Sequence, residues 1–183
     1  MPLCRKRSAP PLASAAVTDR STTRIRSKRD SRALTRYLDD FAVGDKFTTA
    51  ECELTEAMIL AFANDYDPQP FHTDPAAAKA SIYGGLIVSG FQTLAIGFRP
   101  VWDTGVLAGS SMGAPGFDEL RWLKPVRAGD RLHVEAEVIG VAPSRSKPDR
   151  GIVRIAYRYL DQTGEAVLTC AMMHLLQRRP PAA

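Results

Sequence analysis

The sequence predicts an α+β fold in which one long apolar helix is wrapped by a curved antiparallel sheet. Three observations carry this. Apolar residues from Leu86 to Trp102 recur at roughly helical spacing, and the period turns to strict alternation after Gly116. The order is one strand, then helices, then four strands, the last two joined by the turn Asp161-Gln162-Thr163-Gly164.

Taken in order, Phe47 to Leu54 alternates as a strand. Thr55 then caps a helix with Glu56 in its first turn, and Leu54 and Ile59 are spaced as a hydrophobic staple across the cap. Ile59, Phe62 and Ala63 form its apolar stripe. The stretch Asn64 to Pro70, with two prolines, ends it in a polar loop. Asp74-Pro75 starts a second helix through Ala76 to Ala80, stopped by Tyr83-Gly84-Gly85. In the third, Leu86, Ile87, Phe91, Leu94, Ala95, Phe98 and Val101 cover most of the circumference, so this helix is expected in the core. Phe117, Glu119, Arg121 and Leu123 then alternate with Asp118, Leu120, Trp122 and Lys124. In the next strand Leu132, Val134, Ala136 and Val138 face in, and Arg131, His133, Glu135 and Glu137 face out. Ile152–Leu160 and Ala166–Leu176 complete the sheet.

The chain has 183 residues, 45% hydrophobic and 24% charged, which excludes wholesale disorder and suits one domain over residues 31–183. Apolar runs fall far short of the ~18–20 residues a membrane span needs. The net charge of +4 invites a nucleic-acid reading, but eight basic and two acidic residues fall within residues 1–30. The remainder, with sixteen basic and eighteen acidic, is slightly acidic and lacks the basic face that nucleic acid requires. Residues 1–30 are expected to be a disordered basic tail, with a targeting segment or a misassigned start codon as the alternatives. Cys4, Cys52 and Cys170 are too dispersed for a disulfide framework or a zinc site, which fits a reducing cytoplasm.

Chemistry concentrates in Asp65-Tyr66-Asp67-Pro68-Gln69-Pro70-Phe71-His72-Thr73-Asp74-Pro75. Asp67 and His72 stand five residues apart on a stretch stiffened by prolines. Such a pair can take a proton from water and deliver one to carbon, whereas a capped loop with an incidental histidine is the plainer account. Gly84-Gly85-Leu86-Ile87-Val88-Ser89-Gly90 follows. It reads as a helix N-terminus open to an anion, or as glycines that permit tight packing. It lacks the Lys-Ser/Thr ending of a phosphate-binding loop. Ile87 and Phe91 stand where a nucleophile elbow around Ser89 would need glycine.

Together Asp67–Pro75 and Gly85–Gly90 resemble the signature of (R)-specific enoyl-CoA hydratases, MaoC-like dehydratases of the hotdog fold, whose pattern is D-x-N-P-x-H-x-D followed by an apolar I-x-H-G. Leu123-Lys124-Pro125-Val126-Arg127-Ala128-Gly129-Asp130 is similar to that family's K-P-V-x-x-G-D turn, and the likeness runs over residues 40–177. The resemblance implies reversible hydration of a trans-2-enoyl-CoA to a (3R)-3-hydroxyacyl-CoA, a lyase of fatty acid metabolism. Asp67 and His72 would be the catalytic pair and Gly90 the oxyanion-hole donor. Gln69, Phe71, Gly85 and Ser89 would face the acyl-CoA thioester. No metal or cofactor is implied, and the expected assembly is a homodimer or higher homo-oligomer. Two positions depart from the pattern: Gln69 stands for Asn and Ser89 for His. A hotdog thioesterase and a non-catalytic acyl-thioester binding subunit are the alternatives. His133 is expected in solvent and His174 packed. Arg145, Lys147 and Arg150 form a charged loop that could meet coenzyme A phosphates.

Overall fold

The computed structural model describes residues 36–181; the basic tail expected at residues 1–30 lies outside the described residues. Thr55 starts the first helix, α1 (Glu56–Tyr66), its hydroxyl accepting from the Met58 N–H at 3.3 Å. Leu54 and Ile59 are both fully buried across that cap. The helix continues past the break expected at Asn64. Only Asp67, which precedes Pro68, is driven off helical geometry, at φ −150° and ψ 68°. The expected polar loop holds one helical turn, α2 (Pro70–Thr73), with proline at its first position. The next helix, α3 (Pro75–Ala80), is capped as predicted: one Asp74 oxygen accepts from Ala76 and Ala77 N–H at 2.8 and 3.2 Å.

The long helix starts later than its periodicity suggests. α4 spans Gly90–Asp103, and the segment before it is extended, with Ile87 N–H on Phe71 O and Val88 N–H on Val126 O. These non-local bonds override the local helical spacing. Burial of α4 is also one-sided, which corrects the expectation of an enclosed helix. Gln92, Thr93, Gly97 and Val101 are buried, whereas Phe91 and Trp102 are 65% and 45% exposed, because one chain's sheet covers one flank. Pro100 deprives the Ile96 carbonyl of its helical donor, and the Cys52 thiol lies 3.9 Å from it instead.

All strand pairs are antiparallel. β1 (Lys46–Thr48), β4 (Arg131–Pro143), β5 (Arg150–Leu160), β6 (Ala166–Gln177) and β3 (Gly116–Trp122) lie in that order, with β2 (Cys52–Glu53) beside the start of β4. The single strand expected over 47–54 is thus two short ones. Between them the Thr49 hydroxyl takes the Val134 N–H at 2.9 Å in place of a ladder carbonyl. Leu132, Val134, Ala136 and Val138 are buried as their alternation predicts, with Val153, Ile155, Tyr157 and Tyr159 beside them on β5. The Tyr159 hydroxyl donates to Leu94 O on α4 at 3.3 Å. One helix laid on a curved antiparallel sheet is the hotdog fold. Among the described residues no helix is long and apolar enough to cross a membrane.

His174 joins the two layers. It is 2% exposed, lies parallel to the Phe98 ring of α4 at 6.3 Å, and its Nε2 is 2.9 Å from the Tyr157 hydroxyl. Burial pushes its pKa down to about 4 from an ordinary 6.5. Burial likewise raises the Tyr157 phenol, which therefore keeps its proton to donate. Between those two pH values the unfolded chain binds a proton that the folded chain does not, so stability falls as pH drops from 6.5 toward 4. The loss should approach ~3 kcal/mol for this histidine. Urea unfolding from pH 7 to 4.5 should show that decline, and His174→Gln should flatten it.

Candidate active site

α1 ends at Tyr66 with Asp67 as its C-cap, and α2 begins three residues after Asp67, which folds His72 back over the carboxylate. His72 Nε2 lies 3.4 Å from Asp67 Oδ2. The imidazole is 4% exposed, and its Nδ1 is 2.8 Å from the Ile87 carbonyl. A carbonyl can only accept, so Nδ1 carries the hydrogen and Nε2 is the atom turned to Asp67. The Phe71 ring packs edge-on against the imidazole at 4.6 Å.

Both Asp67 oxygens are held. Gln69 Nε2 donates to Oδ1 at 2.8 Å, and the Ser89 hydroxyl donates to Oδ2 at 2.7 Å. Burial works to raise the Asp67 pKa. The bonds from Ser89 and Gln69, with the His72 ring beside them, outweigh it and hold the carboxyl below its ordinary value. Asp67 is therefore a carboxylate at neutral pH.

Ser89 is also the N-cap of α4, its oxygen accepting the Phe91 N–H at 3.2 Å. Gly90 follows as the first helical residue, and its N–H has no acceptor inside the helix. A cleft of about 430 Å³ opens over these groups, lined by Asp67, Gln69, Phe71, His72, Tyr83, Gly90, Thr93, Trp122 and Lys124 among others. A larger cavity of about 540 Å³ beside Cys52, Met58, Ile96 and Arg99 has no histidine in its lining, and its Asp103 and Glu51 are committed to Arg99 and Arg131, so the smaller cleft is the candidate for the chemistry.

The structure thus gathers Asp67, Gln69, Phe71, His72 and Gly90 at one cleft. It does not bring the other two there. Ser89 is fully buried and reaches the cleft only through Asp67, because its oxygen is occupied by the carboxylate and the cap. Gly85 stands against the Arg127 guanidinium, which donates to the Tyr83 and Leu86 carbonyls. Lys124, which in the sequence belongs to the turn Leu123–Asp130, also lines the cleft. It is paired with Asp161 at 2.8 Å and with Glu165, which raise its pKa. Arg145, Lys147 and Arg150 lie at the β4–β5 turn, about 40 Å along β4 from the end nearest the cleft.

Comparison with known proteins agrees with this fold. Residues 40–156 match the family described as MaoC like domain. The fold superposes on the MaoC-like dehydratase of Rhodospirillum rubrum with a TM-score of 0.73 and 42% identity, over 80% of this chain and 99% of that one. The R-hydratase PhaJ1 of Pseudomonas aeruginosa aligns with a TM-score of 0.64 and 25% identity, over 80% of this chain and 95% of its own. A mesaconyl-CoA hydratase of Cereibacter sphaeroides is 43% identical over 68 residues, which are 37% of this chain and 20% of that protein.

Ser89→Ala removes the cap and one of the two side-chain donors to Asp67 together. Stability should fall by ~1–2 kcal/mol in urea unfolding. The Asp67 carboxyl should titrate at higher pH than in the parent, as followed by its carbon NMR shift.

Proposed function

The chain belongs to the MaoC-like dehydratase family, and from that premise we propose that it reversibly hydrates a trans-2-enoyl-CoA to the (3R)-3-hydroxyacyl-CoA. The observation that supports this most is the 3.4 Å approach of His72 Nε2 to an ionised Asp67, in a cleft that also contains the free N–H of Gly90. Proton transfer and enolate stabilisation need these groups together, and a site that only binds has no need of the first two.

In the forward direction, a water held between Asp67 and His72 gives its proton to Nε2 as its oxygen bonds to C3 of the enoyl group. The C2=C3 electron pair moves onto the thioester oxygen, where the Gly90 N–H stabilises the enolate. Asp67 steadies the imidazolium, which returns the proton to C2 as the enolate collapses, so one water is added in all. Removing a donor of the Gly90 kind is worth roughly 3–4 kcal/mol where it has been tested in other enzymes. Gln69 and Ser89 act through Asp67, holding the carboxylate rather than the substrate.

The active species is proposed to be a homodimer. β3 lies at one edge of the sheet, and Phe117, Trp122, Leu123 and Phe91 are 42%, 47%, 56% and 65% exposed along that side. Two-fold symmetry would place the same strip of both copies against each other. Among the described residues the thiols of Cys52 and Cys170 are free, and the cytoplasm is proposed as the compartment. Sedimentation equilibrium at assay concentrations should give a dimer, and a fully active monomer would refute it.

A panel of trans-2-enoyl-CoA substrates with chiral product analysis tests the reaction. Asp67→Asn and His72→Ala should each slow hydration by ~10²–10⁴-fold, the range for a positioned proton-transfer group. The double variant should be little worse than the poorer single one, since such groups act as a unit. Both should melt near the parent temperature. Release of free thiol would favour a thioesterase, and binding without turnover would favour a non-catalytic acyl-thioester binding subunit.

A further inference from the structure

Trp122 reaches the cleft only because β3 is irregular. Gly116 and Asp118 pair with Met173 and Ala171, on the face of the sheet turned away from α4, and Phe117 pairs with Met172 on the face toward it. In a regular strand residue 122 would share the outer face with 116 and 118. Between Asp118 and Arg121, however, β3 carries one residue more than β6. Trp122 therefore pairs with the fully buried Leu168 and faces inward. Within this bulge Glu119 has φ 54°, a left-handed backbone that side chains other than glycine's seldom adopt. Strain of this kind persists only where the surroundings enforce it, and it gathers at functional sites.

The consequence is a contact with the helix start. The Trp122 indole N–H donates to Gly90 O at 2.9 Å. The ring lies so close that a Cβ on residue 90 would stand 2.6 Å from Nε1 and 2.7 Å from Cε2. Phe91 flanks the indole in a T-shaped pair at 6.3 Å. Glycine has the freest backbone of any residue, and it is here the one whose N–H must meet the enolate oxygen.

We propose that Trp122, aimed by the Glu119 bulge, is a positioning residue that holds the Gly90 backbone, through its carbonyl and the close approach to its α-carbon, so that the N–H on the other side of that α-carbon is fixed for its oxyanion role. The inference rests on that role as given under the proposed function. It also explains why residue 90 is glycine: alanine would keep the N–H, but its Cβ would collide with the indole.

Nitrogen-15 relaxation of the Gly90 amide tests the positioning without any turnover. Trp122→Phe keeps a ring at the cleft but removes the indole N–H, and the Gly90 amide should become measurably more mobile. In the same variant kcat should fall about tenfold with KM within about twofold, as expected when alignment and not binding is lost. Gly90→Ala should be severely impaired in the parent yet cost much less in a Trp122→Leu background, where the collision is relieved. An unchanged Gly90 amide, or an equal cost of Gly90→Ala in both backgrounds, would overturn the proposal. A parent enzyme that hydrates no enoyl-CoA would instead overturn the function, with the relaxation result still deciding whether Trp122 holds Gly90.

Discussion

The close approach of α4 to the sheet is the constraint on which the rest of the molecule depends. At Gly97 a Cβ would stand 2.2 Å from the Tyr159 ring, so only glycine lets the helix lie flush on β5. Gly90 makes the equivalent contact with Trp122 of β3, two turns earlier on the same stripe of the helix. Two aromatic side chains from the sheet therefore seat one helix face at two glycines. Their polar ends fasten it as well, Tyr159 to Leu94 O and Trp122 to Gly90 O. Close packing of this kind leaves the helix little room to slide, and its N-terminus is held beside the carboxylate that Ser89 binds.

That seating gives the site its electrostatic character. Asp67 is part-buried, its side chain 13% exposed, which alone would favour the neutral acid, but three neighbours favour the anion. Lys124, the cation at the rim, is neutralised by Asp161 and Glu165, so it does not compete for the Asp67–His72 pair. The Asp161 carboxylate is itself organised by Thr163 and by the Glu165 N–H of the turn before β6. The charges in and around the cleft are thus partnered, and the helix N–H at Gly90 remains as an uncommitted donor.

Much of this was legible in the chain. The caps at Thr55 and Asp74, the inward set on β4, and the Asp67/His72/Gly90 constellation all follow from local rules or from a motif, and local rules survive folding. What failed to show depends on partners distant in sequence. Leu86 to Val88 has helical spacing, but Phe71 and Val126 supply backbone bonds that extend it. Gln69 to Thr73 looks like a loop, since a single turn is too short for a periodic signal. Trp122 was invisible as a site residue for a sharper reason. Alternation assigns it to one face of β3, and a single inserted residue, marked by no glycine, moves it to the other.

The two departures from the family pattern also take on a physical meaning. Gln69 and Ser89 stand where that pattern has Asn and His, and either change could have weakened the pair. In the folded chain both side chains present a hydrogen-bond donor to Asp67, one to each oxygen. Asn and Gln share the same amide, and Gln reaches the carboxylate from the residue that precedes α2 because its longer stem spans the distance. Serine differs more, because its hydroxyl accepts the helix cap while it donates to the acid, two tasks for one small, fully buried group. The substitution leaves the proton-transfer groups themselves unaltered.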